Sequence, residues 1–151
     1  MGIEWRNSIQ VTLTVTNGAY TVGDVVGGLI TLPYATRRTG APSFLHSLKL
    51  AGVEPIPYEL WFLNVDLVTP AADNAAMTLV AADLPKVLGI VPITALDYCK
   101  AASAFYVACI RGVGLQVMPA LGTQVIYAYM KATAVTSPGT TTIYLTADFI
   151  P

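Results

Sequence analysis

Residues 9–16 read Ile9-Gln10-Val11-Thr12-Leu13-Thr14-Val15-Thr16. Apolar and polar side chains alternate without a break, and a period of two over eight residues is the pattern of a strand with one face buried. Asn17-Gly18 follows, a dipeptide that accepts positive φ at both centres of a type I′ turn. With Tyr20 and Val22 beyond it, the pattern predicts a hairpin. Val25-Val26 then runs into Gly27-Gly28, where a bulge or a close backbone approach is expected, and Leu29 to Leu32 continues until Pro33 stops it.

Downstream, more strands are expected than helices. Phe44, His46, Leu48 and Leu50 are spaced to share one strand face. Tyr58 to Val65 has almost no polar alternation: Leu60 and Phe62 oppose Trp61 and Leu63. Such a strand is buried on both sides, either centrally in a sandwich or against another subunit. Ala104 to Arg111, Thr123 to Ala134 and Thr140 to Phe149 add three more, the last two separated by a hairpin-like turn at Ser137-Pro138-Gly139. The best helical candidate is Ala81 to Gly89, with Asp83 as cap, Pro85 in the first turn and Gly89 as terminator. Leu96 to Ser103 predicts a second short turn. These elements specify an all-β chain: an antiparallel, jelly-roll-like β-sandwich with one or two short helical turns, spanning 1–151 as one domain.

Composition narrows the function. Of 151 residues, 54% are hydrophobic and only 11% charged, under half of the roughly 25% common in soluble domains. The 17 threonines supply polarity without charge. A surface so poor in charge points to coverage by copies of the chain or by a partner. The net charge of −1 gives no steering toward nucleic acid or anionic lipid. The longest charge-free stretch, Gly112 to Met130, is interrupted by glycine, proline and glutamine, unlike a membrane-spanning helix. Met1-Gly2-Ile3-Glu4-Trp5-Arg6 has no apolar signal core, and Arg6 occupies the place where myristoylation wants Ser or Thr.

Reactive constellations are not evident. His46 is the single histidine, no GxSxG accompanies the five serines, and no clustered ligands point to zinc. Asp66 and Asp73-Asn74 fit no EF-hand loop. Gly23-Asp24-Val25-Val26-Gly27-Gly28 and Gly112-Val113-Gly114 lack phosphate-cradle spacing and read as strand bends. No enzyme, metal or cofactor is therefore expected. Cys99 and Cys109 have no CxxC spacing, their pairing stays open, and the alternation of Cys109 with Phe105 and Val107 predicts a small buried side chain. Arg37-Arg38, in the loop from Tyr34 to Ser43, is the one adjacent pair of like charges and reads either as a solvated loop or as a docking contact to acidic groups.

The order of several pieces resembles small structural proteins of tailed bacteriophages. These are Tyr20-Thr-Val-Gly23-Asp24-Val-Val-Gly27-Gly28, then Leu60-Trp-Phe-Leu-Asn-Val-Asp66, Asp73-Asn-Ala-Ala, and Ala82-Asp83-Leu-Pro-Lys-Val-Leu-Gly89. One departure is Leu67-Val68-Thr69, which separates Asp66 from Pro70. The resemblance covers residues 20 to 94 and implies a capsid decoration or cement protein on the virion surface, made in the host cytoplasm. Its implied partners are the major capsid protein and itself, as a dimer or trimer, with no nucleic acid and no membrane. Candidate capsid contacts are Arg37 and Arg38, and the candidate oligomer interface is Tyr58, Leu60, Trp61, Phe62 and Leu63. The rival readings are a neck or tail component, and a small-molecule- or glycan-binding barrel with Trp5, Tyr58, Trp61, Tyr127 and Tyr129 as an aromatic platform.

Overall fold

In the computed structural model, which describes residues 5–151, the alternating segment forms β1 (Asn7–Thr14), with Ile9 and Leu13 buried and Gln10, Thr12 and Thr14 in solvent. The other strands are β2 (Val25–Leu32), β3 (Ser43–Gly52), β4 (Tyr58–Leu63), β5 (Val87–Ile93), β6 (Tyr98–Ala102), β7 (Phe105–Val117), β8 (Ile126–Ala132) and β9 (Thr142–Ile150). Two 3₁₀ turns, Ala81–Lys86 and Ala95–Asp97, complete the regular structure of the described residues. The Met1-Gly2 reading against a leader or lipid anchor lies outside them.

Every strand pairing is antiparallel, in two sheets ordered β1-β9-β3-β7-β6 and β2-β8-β4-β5. The chain passes from one sheet to the other at every connection except β4–β5 and β6–β7. This is the connectivity of a jelly roll, with β6 added as a hairpin partner at the β7 edge. Between the sheets lie Leu13, Ile30, Leu45, Leu60, Phe62, Val117, Ile126, Met130, Leu145 and Phe149, all nearly inaccessible. Burying each such side chain contributes about 1.5–3 kcal/mol, which offsets the entropy of ordering the strands.

Crossing between sheets explains why the expected hairpins do not form. β1 pairs with β9 alone, Tyr20 bridges Thr136, and neither Asn17 nor Gly18 has positive φ. The segment after Asn17-Gly18 must carry the chain to the other sheet, so it cannot turn back on β1. The same holds at Ser137-Pro138-Gly139, because β8 and β9 lie in opposite sheets. The bulge at Gly27-Gly28 does form. The register with β8 breaks between Val25 and Leu29, and both glycines have positive φ.

A second bulge reverses the expected face of β3. Register shifts between Leu45 and Ser47, so Leu45, Leu48 and Leu50 point inward while Phe44 and His46 point out. Opposite it, β7 takes up the extra length at Gly112 and Gly114, both at positive φ, which bears out their reading as a strand bend. The helical segment at 81 is shorter than expected and stops at Lys86. Gly89 belongs to β5, where a Cβ would lie 2.5 Å from Leu115 Cδ1 across the sandwich edge. The glycine thus serves a close approach of two strands rather than a helix end.

The oligomer interface expected on β4 is overturned. Tyr58, Leu60 and Phe62 face the main core, and Leu63 is fully buried on the opposite side. Only Trp61 keeps partial exposure. The cause of the two-sided apolar pattern lies within the chain. The connection from β4 to β5 (64–86) folds back over the outer face of its own sheet and forms a second core from Val25, Leu63, Leu67, Ala71 and Tyr129. Cys109 is likewise exposed and free, as is Cys99, because inward positions on β7 near it fall to Ala108.

Candidate functional site

The acidic residues that the sequence brings to notice hold the β4–β5 connection in place. Asp73 Oδ1 accepts from the Gly27 amide (2.6 Å) and the Tyr20 hydroxyl (2.7 Å), while Oδ2 accepts from the Thr16 amide (2.8 Å) and hydroxyl (2.7 Å). Burial opposes ionisation of Asp73, but these donors outweigh it and hold the carboxyl below its ordinary range. Next to it, Asn74 adopts φ 58° and its amide bonds Val25 O at 2.8 Å. Asp66 accepts from the Tyr129 hydroxyl at 2.7 Å.

Asp83 is fully buried and accepts from the amides of Val68 (2.8 Å) and Val80 (3.1 Å) and from Lys86 Nζ (2.9 Å). Burial again works against its charge, and Lys86 with the two amides prevails, so its carboxyl too is held low. Asp73 and Asp83 are thus each held by three or more donors of the fold itself. Among the described residues, no three His, Cys, Asp or Glu side chains come together in a group able to hold a metal ion.

The aromatic platform does not assemble. Tyr58 and Tyr129 are inside the two cores, and Trp61 is occupied by its neighbours. Lys131 Nζ stands 4.7 Å from the Trp61 ring centroid, and Glu59 accepts from both Trp61 Nε1 (3.0 Å) and Lys131 Nζ (2.8 Å).

What the fold does present is one end built from three connections: β2–β3 (33–42), β4–β5 and β7–β8 (118–125). The first is firmly seated. The Ala35 amide bonds Gln124 O and the Gly40 amide bonds Thr123 O, both at 2.9 Å, and Gln124 Nε2 donates to Thr36 O at 3.1 Å. Ala35 and Thr36 are buried, whereas Arg37 and Arg38 project into solvent. Among the described residues neither guanidinium has a carboxylate within ion-pair distance.

The same end exposes apolar side chains that the sequence reading passes over. Tyr34 is 66% exposed, Met118 51% and Leu121 98%, and Leu121 lies in the connection that seats the arginine loop. Val65, Val68 and Leu84 are also exposed, at the same end of the β4–β5 connection. Met118-Pro119-Ala120-Leu121-Gly122 carries the missed signal: large apolar residues flanked by proline and glycine, where no strand or helix face can bury them. Arginine, tyrosine and methionine beside exposed leucine is the composition of a protein-contact surface.

No helix is long and apolar enough to cross a membrane among the described residues. No protein-family model matches the chain, and no curated protein is similar to it. Among solved structures, that of turnip yellow mosaic virus at 100 K aligns over 99% of this chain and 94% of the matched one, at 10% identity and a TM-score of 0.28. A likeness that distant is silent on function.

Proposed function

We propose that the chain is a non-enzymatic structural protein of a phage virion, which decorates the capsid and bridges its subunits. The observation that carries this reading is the loop end: two arginines without an ion-pair partner among the described residues, on a loop seated by backbone hydrogen bonds, with Tyr34, Met118 and Leu121 exposed on the same loop and on the connection that seats it. The sequence resemblance to tailed-phage structural proteins and the jelly-roll connectivity support it. The arginine forks meet carboxylates or carbonyls of the major capsid protein, and the exposed apolar side chains of the same end add dry contact area. Several copies on one particle turn modest contacts into durable attachment. Self-association, as a dimer or trimer, is part of the proposal and falls to exposed apolar residues rather than to β4.

The test is binding to undecorated particles. Arg37→Ala with Arg38→Ala should leave the melting temperature unchanged, since exposed substitutions stay within about 0.5 kcal/mol, yet lower particle occupancy. Leu121→Asp should do the same. Full occupancy by both variants at the wild-type concentration would remove the loop end from the proposal.

A further inference from the structure

On the outer face of the five-stranded sheet lies a concavity of about 420 Å³. Two adjacent cross-strand rows cross this face, Ser8–Asp148–Ser47–Arg111 and Gln10–Thr146–Lys49–Cys109, and of these Asp148, Ser47, Arg111, Lys49 and Cys109 line the concavity. Arg6 and His46 stand at its rim, His46 turned outward by the β3 bulge. Three of the chain's eight basic side chains, Arg6, Lys49 and Arg111, therefore converge on one place in a molecule otherwise poor in charge.

Among the described residues the lining contains a single carboxylate, and it is already engaged. Asp148 Oδ2 accepts from Arg6 Nη2 at 3.1 Å and from the Ser47 hydroxyl at 2.5 Å. Burial disfavours its charge, and Ser47, Ser8 and Arg6 restore it, leaving the carboxyl below its usual range. Among the described residues Lys49 and Arg111 have no ion-pair partner. They occupy neighbouring rows on β3 and β7, so both reach over the same part of the floor.

We infer that this concavity binds a dianionic oxyanion of the phosphate class. Three cations against one carboxylate leave two positive charges, which a dianion balances and a single carboxylate does not. Arg111 supplies a planar fork and Lys49 a mobile point charge, the two complementary ways of holding a tetrahedral oxyanion. Arg6 acts through its pair with Asp148, which closes one side of the pocket and keeps that carboxylate away from the other two cations. The inference is independent of the loop end and of the proposed virion role.

Amide chemical shifts followed in low-salt buffer, during separate titrations with inorganic phosphate, sulfate, phosphoserine and acetate, test it. Phosphate and sulfate should produce saturable shifts at Ser47, Cys109 and Arg111, with acetate about tenfold weaker or more. Phosphoserine binding as tightly as free phosphate assigns the site to phosphomonoesters, and binding only of the free ion assigns it to inorganic oxyanion. Lys49→Ala and Arg111→Gln should each weaken phosphate about tenfold, Arg111→Lys less, and Lys100→Ala should change nothing. All three positions are exposed, and coincident melting curves verify folding. Linear, non-saturating shifts, equal affinity for acetate, or binding that survives both neutral variants would overturn the inference. So would a short oligonucleotide binding far more tightly than phosphate, which would make the face a nucleic-acid surface.

Discussion

Removing the Asp73 carboxylate should destabilise the protein well beyond the effect of an ordinary loop substitution. Its four donors divide into two kinds. The amide and hydroxyl of Thr16 lie on the exposed side, where water replaces the lost acceptor at a cost of about 0.5 kcal/mol each. The Gly27 amide and the hydroxyl of Tyr20 are part-buried, and orphaning such donors costs about 1–2 kcal/mol each once partial solvation is allowed for. Asp73→Ala should therefore cost about 3–5 kcal/mol, which for a chain of this size lowers the melting temperature by roughly 6–20 °C. Asp73→Asn keeps one acceptor oxygen but aims an NH₂ at the other donor pair, so about half that loss is expected. Calorimetric melts of the two variants, with hydrogen exchange at the Gly27 amide, measure both effects. A fall below about 2 °C for Asp73→Ala would refute the idea that this side chain pins the β4–β5 connection.

Four further outcomes rest on particular residues. Gly27 has φ 82° and a Cβ there would meet buried Leu13 Cβ at 3.0 Å, so Gly27→Ala should cost about 2–4 kcal/mol in urea unfolding. Gly112, at φ 66° with open space around it, should lose only about 1 kcal/mol in the same assay. Gly18 lacks positive φ, so Gly18→Ala should be neutral or raise stability by up to about 1 kcal/mol, read from the urea midpoint. Glu59, Asp73, Asp83 and Asp148 all titrate below their ordinary range in the folded state. The unfolded chain takes up protons first as pH falls, so stability should hold above about pH 4 and drop below it, as urea midpoints between pH 7 and 3 would show.

The architecture was legible because β-sheet patterning is local. The alternation of β1, the Gly27-Gly28 bulge and the scarcity of helix are all written in nearest neighbours. Partner choice is not local. Asn17-Gly18 has the chemistry of a tight hairpin, and only the position of β9 beside β1 decides that the chain crosses to the other sheet instead. One inserted residue in β3 exchanges the faces of Phe44 and Leu45, an inversion that no period-two reading registers. Strand β4 shows the same limit. Its two-sided apolarity is plain in the residues, but a residue pattern does not say whether the cover comes from another copy or from the connection that follows, Leu67 and Ala71. Of the candidate contacts, Arg37 and Arg38 stood out by charge, while Met118 and Leu121 needed the packing of 118–125 against 33–42 to acquire meaning.

The strand order has a consequence for how the chain acquires its shape. β1 pairs only with β9 and β2 only with β8, while β9 also separates β1 from β3 and β8 separates β2 from β4. The two strands made first are therefore the two left without neighbours until the last two arrive and slide between them. Both sheets close late and together, through contacts of the longest separation the chain offers, which is the regime of slow folding. Until then the apolar edges of β1 and β2 are open templates for pairing with other nascent copies. The yield of native molecules therefore rests on how quickly the last two strands find their slots.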